Sequence, residues 1–491
     1  MKIAFLNPQG NFDSEDRKWG SHPDFGGQLV YVKEVARSMA HMGEDIDIIT
    51  RRINDPEWGK FSDELDFYHD IEGVRILRIN CGPDKFLRKE LLWSHLNEWT
   101  DNIIEFYKKS NEKFPDFFIT NYGDGGLSGV FLYKKTGIPF SFTAHSLGAQ
   151  KLDKLLSFQN FSKLDEYYHF SSRITAERLS MKFASVIFTS TNQEKEEQYS
   201  HILYKDIVDQ EKVKVVPPGV NIKIFNKNDQ SIDLKVVRKY ENLYNEFPNR
   251  RNLPPVICSS RLDPKKNHKA VVEAFSRSEE INRNFNLVIV TKNIADPRKY
   301  SMEFDTVEAN VLKEMFEIVR RYNIEDSIYF IDIDSQLELA SLYRIGAKNR
   351  GVFALTTYYE PFGLAPLEAA ACGLPVLVTK NGGPSESLLS KDISYENSKK
   401  IIRLHEYGCL VDPMDINTII IGLKGMMDTE KYNFYADAGY SRVMTKYTWE
   451  ATAKDYLKYI HEFCNRKKEE NIFIPSYFID GKEEIKIDYK L

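Results

Sequence analysis

Short apolar runs alternate with longer stretches of helical periodicity from one end of this chain to the other. In the first half, the runs predicted as strands are Lys2–Leu6, Asp45–Thr50, Val74–Ile79, Phe117–Thr120, Phe140–Thr143 and Val186–Thr189. Between them, stretches such as Leu29–Met42 and Leu91–Lys108 carry apolar residues at helical spacing. That alternation predicts βαβ units and a parallel sheet covered on both faces. At Val215-Val216-Pro217-Pro218-Gly219-Val220, two prolines and a glycine forbid regular structure. The pattern then restarts with Val256–Ser259, Leu287–Thr291, Ile328–Ile331, Val352–Thr356 and Val376–Val378. The predicted fold is α/β: two doubly wound Rossmann-like domains, residues 1–220 and 221–445, facing a central cleft. Residues 446–491 supply a C-terminal helix and tail. The segment Ile472-Phe473-Ile474-Pro475-Ser476-Tyr477-Phe478 is too apolar for a free tail and is expected to pack back on the body. Ligands of such folds bind at the carboxyl ends of strands and between domains.

At 491 residues the chain is too long for a single core, which agrees with two domains. A net charge of −5 gives no basic field, so nucleic acid is not an expected partner. No apolar run is long enough to span a membrane, and Met1-Lys2-Ile3-Ala4-Phe5-Leu6 reads as a first strand rather than a signal peptide. The five cysteines have no metal-site spacing and suit a reducing cytoplasm.

The chemistry concentrates at strand ends. Tyr358-Tyr359-Glu360-Pro361-Phe362-Gly363-Leu364-Ala365-Pro366-Leu367-Glu368 follows a buried strand and opens a helix. A helix start offers unpaired N–H groups and a positive dipole end, which suit a phosphate or a sugar hydroxyl. Glu360 and Glu368, which only accept hydrogen bonds, suit the hydroxyls of a ribose or hexose. Arg261 and Lys266 flank a proline turn after the strand Val256–Ser259. They either form a solvated basic turn or hold a departing diphosphate. Gly26-Gly27-Gln28 closes a long loop after the first strand and is either a plain turn or a place where backbone meets ligand. His145 lies just past Phe140–Thr143, near the polar loop Asn121–Gly126 and Lys151. It serves either a structural or a catalytic end. Lys89 and Arg173 read, each alone, as surface charge. The missing G-x-G-x-x-G after the first strand argues against a dehydrogenase. A non-catalytic bilobal sugar-binding protein would have no need of Arg261 with Lys266.

Together, the Gly-Gly loop, the strand-end His, the Arg-x4-Lys pair and the Glu-x7-Glu element resemble the retaining GT-B glycosyltransferases of group 1. Within these, His22–Glu34, Thr50-Arg51-Arg52, His145–Lys151, Tyr359–Pro366 and Ile474–Phe478 are similar to bacterial sucrose-phosphate synthases. The resemblance implies a cytoplasmic hexosyltransferase acting on a nucleotide sugar and an anionic sugar acceptor, with no membrane partner. No cofactor or metal is required for its chemistry, and a divalent cation at most stimulates it. Arg261 and Lys266 would hold the donor diphosphate with the amides of Gly26 and Gly27. Glu368 would take the ribose hydroxyls. Glu360, with the amides of Phe362, Gly363 and Leu364, would take the transferred hexose, and His145 would steady charge at the anomeric carbon. Gln28, Tyr122 and Ser146 would meet the acceptor sugar, while Lys89, Lys151 and Arg173 would clamp its phosphate. The implied substrates are UDP-glucose and fructose 6-phosphate. The alternative is a compatible-solute synthase, moving glucose or mannose (from GDP-mannose, for instance) to glucosylglycerate or another anionic acceptor. The chain departs from the family pattern at Asn121, where His is common, and at Ala144, where Gly is common. It also departs in the loop Lys292–Pro297 and in the stretch Lys391–His405, which looks inserted.

Overall fold

A computed structural model describes residues 1–16, 26–396, 399–464 and 471–487, with the backbone alone over 392–396 and 399–402. His22, Pro23, Asp24 and Phe25 lie outside the described residues, as does part of the Lys391–His405 stretch. The chain forms two compact units, Met1–Pro217 with Trp449–Leu491 and Pro218–Thr448.

The first unit is built on a sheet of β1 (Lys2–Asn7), β2 (Asp45–Arg51), β3 (Leu65–Phe67), β4 (Val74–Ile79), β5 (Phe117–Asn121), β6 (Phe140–Thr143), β7 (Val186–Thr189) and β8 (Val213–Val215). Their order across the sheet is β3-β4-β2-β1-β5-β6-β7-β8. All pairings are parallel except the edge pair β3–β4. Every residue of β1 is buried, and its period-2 geometry feeds two layers. Ile3 and Phe5 pack with Leu29, Val32, Val35, Ala36 and Met39 of α1 (Gly27–His41). Ala4 and Leu6 pack on the other face with Trp99 and Ile103 of α2 (Leu96–Lys109) and Leu127 and Val130 of α3 (Tyr122–Thr136). The remaining helices that matter for the site are α4 (Gly148–Leu156), α5 (Phe161–Tyr168) and α6 (Phe170–Phe183).

The chain leaves β1 toward β2 and β4, then returns to the other side of β1 with β5. The loops after β1 and β5 therefore diverge at neighbouring strand ends, where an open parallel sheet forms its binding crevice. Gly125 lets α3 start there, because a Cβ on it would sit 2.7 Å from the carbonyl oxygen of Leu6.

In the second unit, β9 (Pro255–Cys258), β10 (Asn286–Thr291), β11 (Ile328–Asp332), β12 (Val352–Leu355), β13 (Val376–Thr379) and β16 (Cys409–Val411) form an all-parallel sheet ordered β11-β10-β9-β12-β13-β16. Its reversal falls between β9 and β12, so the loops carrying Lys266 and Glu360 leave adjacent strands. β14 (Leu389–Glu396) and β15 (Lys399–Glu406) form a separate antiparallel pair over most of the stretch that looks inserted.

Several expectations shift. The unit borders fall at 217 and 448 rather than 220 and 445. The C-terminal helix Trp449–Phe463 joins the first unit because Trp449, Ala453, Tyr456, Leu457, Ile460 and Phe463 complete the apolar layer over α1 and β1. Val215 is the end of β8 rather than part of an irregular linker. That strand is a short edge with two half-exposed residues, so it leaves little periodic signal. The helix expected from Leu91 begins at Leu96, and Lys89–Leu91 and Trp93–His95 are 3-10 turns. Leu92, Leu96, Trp99 and Ile103 continue the helical spacing one turn beyond the backbone that adopts it. Among the described residues, no helix is long and apolar enough to cross a membrane.

Tyr456 is fully buried, and its hydroxyl meets Tyr31 Oη at 2.9 Å and Thr143 Oγ1 at 3.0 Å. Tyr456→Ala is expected to cost roughly 3–5 kcal/mol, the scale of deleting a buried ring. Thermal unfolding should show a lowered midpoint; an unchanged one would remove this helix from the first unit's core.

Candidate functional site

The reversal point of the first sheet carries a cavity of about 810 Å³, counting its open mouth, large enough for a small ligand. The loop after β1 contributes Gln9, Gly26, Gly27 and Gln28. Tyr122, Gly123 and Asp124 come from the first turn of α3, Lys151 from α4 and Arg173 from α6. Lys89, Glu90 and Trp93 supply the wall before α2. Segments far apart in sequence thus bring Gln28, Lys89, Tyr122, Lys151 and Arg173 to one place. Gly26 and Gly27 share this pocket. Ser146 does not line it and meets Arg173 through its carbonyl oxygen, 2.5 Å from Nη2.

Arg173 is not the surface cation that its sequence context suggests. Its Nε donates to Glu177 Oε1 at 2.9 Å, and the Glu177 side chain is fully buried. Glu177 also accepts the Gly148 amide at 3.0 Å and the Tyr204 hydroxyl. Burial works against the guanidinium's charge, but the Glu177 carboxylate outweighs it and raises the Arg173 pKa. Lys151 lies 4.5 Å from the centre of the Tyr168 ring. Burial, then the like charges of Arg173 and Lys89, hold its ammonium below the usual lysine range. Asp124 is buried, its Oδ2 has no hydrogen-bond partner, and burial pushes its carboxyl up to about 6.

His145 adjoins this pocket through Tyr122, with ring centroids 5.5 Å apart, and meets Tyr31 edge-on at 4.9 Å. Tyr122 and His145 both have left-handed backbone, φ 60° and 55°, a conformation that costs a non-glycine residue roughly 1–2 kcal/mol. Such strain gathers at functional positions. His145 Nε2 donates to Asn121 Oδ1 at 2.8 Å, so Nδ1 carries the lone pair. Burial pushes the ring down to about 4, and the imidazole is neutral at neutral pH.

The second unit brings a different set together. Lys266 Nζ lies 2.7 Å from Glu360 Oε2, an ion pair that keeps only 22% and 14% side-chain exposure. Its geometry is set by backbone lacing between two loops. The Lys265 carbonyl accepts the Tyr358 amide at 3.1 Å and the Thr357 hydroxyl at 2.7 Å. Asn267, buried and left-handed at φ 53°, donates Nδ2 to the carbonyls of Thr356 and Pro413 at 3.1 and 3.0 Å. Its own carbonyl accepts the Thr356 hydroxyl at 3.0 Å. On the far side, the Glu360 amide donates to Asn381 O at 3.2 Å, and Gly383 N donates to Glu360 O at 2.9 Å. Only glycine serves at 382, where φ is 90° and a Cβ would strike the Glu360 carbonyl. Arg261 is exposed and forms no ion pair among the described residues. Phe362 and Gly363 lead into the helix Leu364–Ala371, which no side chain caps. One turn in, burial pushes the Glu368 carboxyl up to about 7.

Sequence reasoning named Arg173 but not its partner Glu177, named Asp124 only within the polar loop Asn121–Gly126, and passed over Glu90, Trp93 and the Asn381–Gly383 turn. Asp124 was readable as part of the glycine-rich loop after β5. Lone acidic or aromatic positions elsewhere gave no signal.

Comparison with known proteins gives the fold and the family. The description "Glycosyl transferases group 1" matches residues 241–433, and that of the sucrose synthase first GT-B domain matches residues 1–230. A probable sucrose-phosphate synthase of Thermosipho melanesiensis is 46% identical over 481 residues, covering 97% of this chain and 99% of that protein. Sucrose-phosphate synthase of Spinacia oleracea is 28% identical across 94% of this chain. The chain spans about half the length (46%) of that plant relative. Among solved structures, sucrose-phosphate synthase from Thermosynechococcus elongatus superposes with a TM-score of 0.63 at 21% identity, covering 94% of this chain and 98% of that one. Anabaena HepE, solved with UDP and glucose, gives a TM-score of 0.56 at 16% identity, covering 94% and 100%. The fold is GT-B.

Asn267→Ala leaves two buried carbonyls without donors, each costing roughly 1–3 kcal/mol. The expected result is a drop in the unfolding midpoint together with loss of the Lys266–Glu360 geometry. Unchanged stability would show that the lacing of the two loops does not depend on this side chain.

Proposed function

Because the chain belongs to the sucrose-phosphate synthase family of group 1 glycosyltransferases, we propose that it transfers glucose from UDP-glucose to fructose 6-phosphate, forming sucrose 6-phosphate. The observation that carries the acceptor class is the convergence of Lys89, Lys151 and Arg173 on one pocket beside Gln28 and Tyr122. Three cations in each other's field are mutually unfavourable, and an acceptor phosphate relieves that repulsion. Arg173 is pre-aimed by Glu177, so little side-chain entropy is lost when it meets the anion.

In this reading Arg261 and Lys266 draw off the diphosphate, helped by the amides of Gly26 and Gly27. Glu360 and the amides of Phe362, Gly363 and Leu364 orient the hexose. Glu368 accepts the ribose hydroxyls. The acceptor hydroxyl attacks the anomeric carbon from the face the diphosphate leaves, and the departing phosphate oxygen takes its proton. Configuration is retained, and no carboxylate base is required. His145, neutral at working pH, does not oppose positive charge at the anomeric carbon as an imidazolium would. The leaving group is held by side-chain cations, so a divalent ion at most stimulates. The enzyme acts in the cytoplasm, where its five cysteines stay free.

The test is a matrix of UDP-glucose, ADP-glucose and GDP-mannose against fructose 6-phosphate, 3-phosphoglycerate and glucosylglycerate. Turnover confined to UDP-glucose with fructose 6-phosphate is expected. Preference for GDP-mannose or a carboxylate acceptor would replace this assignment with a compatible-solute synthase.

Lys266→Ala should lower kcat by about two orders of magnitude, the scale of losing one charged contact to developing charge. Near wild-type turnover would take Lys266 out of the mechanism. Glu368 accepts hydroxyls best when ionised, and it ionises at about 7. The phosphates of a nucleotide sugar do not titrate there, so donor KM should fall as pH rises from 6 to 8. Glu368→Gln should flatten that profile and raise donor KM. A profile that stays the same in the variant would assign the titration elsewhere.

A further inference from the structure

The closing segment Ile472–Ile487 has no part in the transfer chemistry, yet it is built into the wall of the acceptor pocket. Ile472, Ile474 and Phe478 are buried in the same core as Leu92, Trp93 and Leu96. Phe478 is fully buried, in the short helix Ser476–Asp480, and its ring centroid lies 6.1 Å from that of Trp93. Trp93 lines the pocket and abuts Gly123, another lining residue. Gly481 sits against Ser94, since a Cβ there would lie 3.4 Å from that of Ser94. The same segment grips the opposite wall. Tyr477 lines one cavity with Ser171 and Ser172, and the Ile487 amide donates to Ser171 Oγ at 3.4 Å. Ser171 and Ser172 stand between Phe170 and Arg173, both of which line the pocket.

The wall that needs this support is not a rigid element. Lys89–Leu91 and Trp93–His95 are single 3-10 turns outside the sheet. Short turns of that kind hold their shape through tertiary packing rather than through their own hydrogen bonds. Phe478 supplies that packing directly beneath Trp93, three positions from Glu90 and four from Lys89 along the chain.

We propose that Phe478 is a positioning residue for the acceptor: through Trp93 it fixes the wall that carries Lys89, while Ile487 ties down the helix that carries Arg173. The C-terminal segment thereby sets acceptor affinity without touching substrate. The proposal rests on the acceptor assignment made above.

The test compares Phe478→Ala and Phe478→Leu with the wild-type full chain. Measured are KM for fructose 6-phosphate, KM for UDP-glucose, hydrolysis of UDP-glucose without acceptor, and the unfolding midpoint. Phe478→Ala should raise the acceptor KM by roughly ten- to a hundredfold, the scale set by a small misplacement of binding groups. Donor KM and hydrolysis should stay within about twofold, and Phe478→Leu should recover most of the acceptor affinity. A purely structural role would change donor and acceptor terms together or leave both alone, and either result overturns the proposal. Should Phe478→Ala not fold, backbone hydrogen exchange of the wild type decides. Fructose 6-phosphate should slow exchange over 474–481, whereas UDP alone should not, and no slowing refutes the inference. Wild-type enzyme inactive with fructose 6-phosphate would instead point to a failed acceptor assignment, since no variant enters that result.

Discussion

Each parallel sheet of this protein reverses its strand order once, and everything chemical follows from where that happens. A chain that winds first to one side of a strand and then to the other must separate two loops at adjacent carboxyl ends. In the first unit those loops leave β1 and β5, and in the second they leave β9 and β12. The first pair delivers Gly26–Gln28 and Tyr122–Asp124; the second delivers Lys266 and Glu360. The sheets themselves contribute Asn121, the last residue of β5, which meets His145. They act by being too densely apolar on both faces to shift, so the loops inherit a fixed origin.

From that origin the two units fix their polar groups in different ways. The second unit uses backbone: carbonyls of Lys265, Asn267 and Glu360 and amides of Tyr358 and Gly383 lace three loops into one piece. Lys266 and Glu360 are then held as a pair at 2.7 Å with little freedom to lose. The first unit uses a buried acid. Glu177 accepts from Arg173, Gly148 and Tyr204 at once, and a carboxylate with that many donors is fully satisfied. An unpaired charge at that depth would be very costly, so Arg173 cannot swing away. Lys151, by contrast, lies against an aromatic face, with the like charges of Arg173 and Lys89 and the acid Glu90 in its field. Arg173 is thus the fixed cation of the pocket, and Lys151 the less tightly held one.

How much of this was legible in the sequence depended on the kind of signal. Strands buried on both faces announce themselves, and β4, β6 and β7 have the bounds their apolar runs predict. Edge strands do not: β3 has two exposed residues of three, and β8 two half-exposed of three. The Glu360 loop was legible because a glycine turn, a proline and two acids fall together between a strand and a helix. The role of Asn267 was not, since its bonds go to carbonyls at Thr356 and Pro413, about 90 and 146 positions on. Neither was the C-terminal helix's place in the first unit, because amphipathic spacing states that a face is buried and not against what.

Asn121 shows how a departure from the family pattern acquires a meaning only in three dimensions. From sequence it marks a missing histidine beside the acceptor loops. In the structure its carboxamide oxygen takes the Nε2 proton of His145, which fixes both the tautomer and the plane of a ring already wedged between Tyr31 and Tyr122. A histidine at the same place would offer either a donor or an acceptor, according to its own protonation, and would leave that tautomer undetermined. An amide does not change its protonation within the range where proteins fold. With burial keeping His145 neutral and Asn121 keeping its proton on one nitrogen, the ring presents a single electrostatic face over the whole working pH range. A buried ring whose charge does not change thus offers its neighbours Tyr31 and Tyr122 one constant partner.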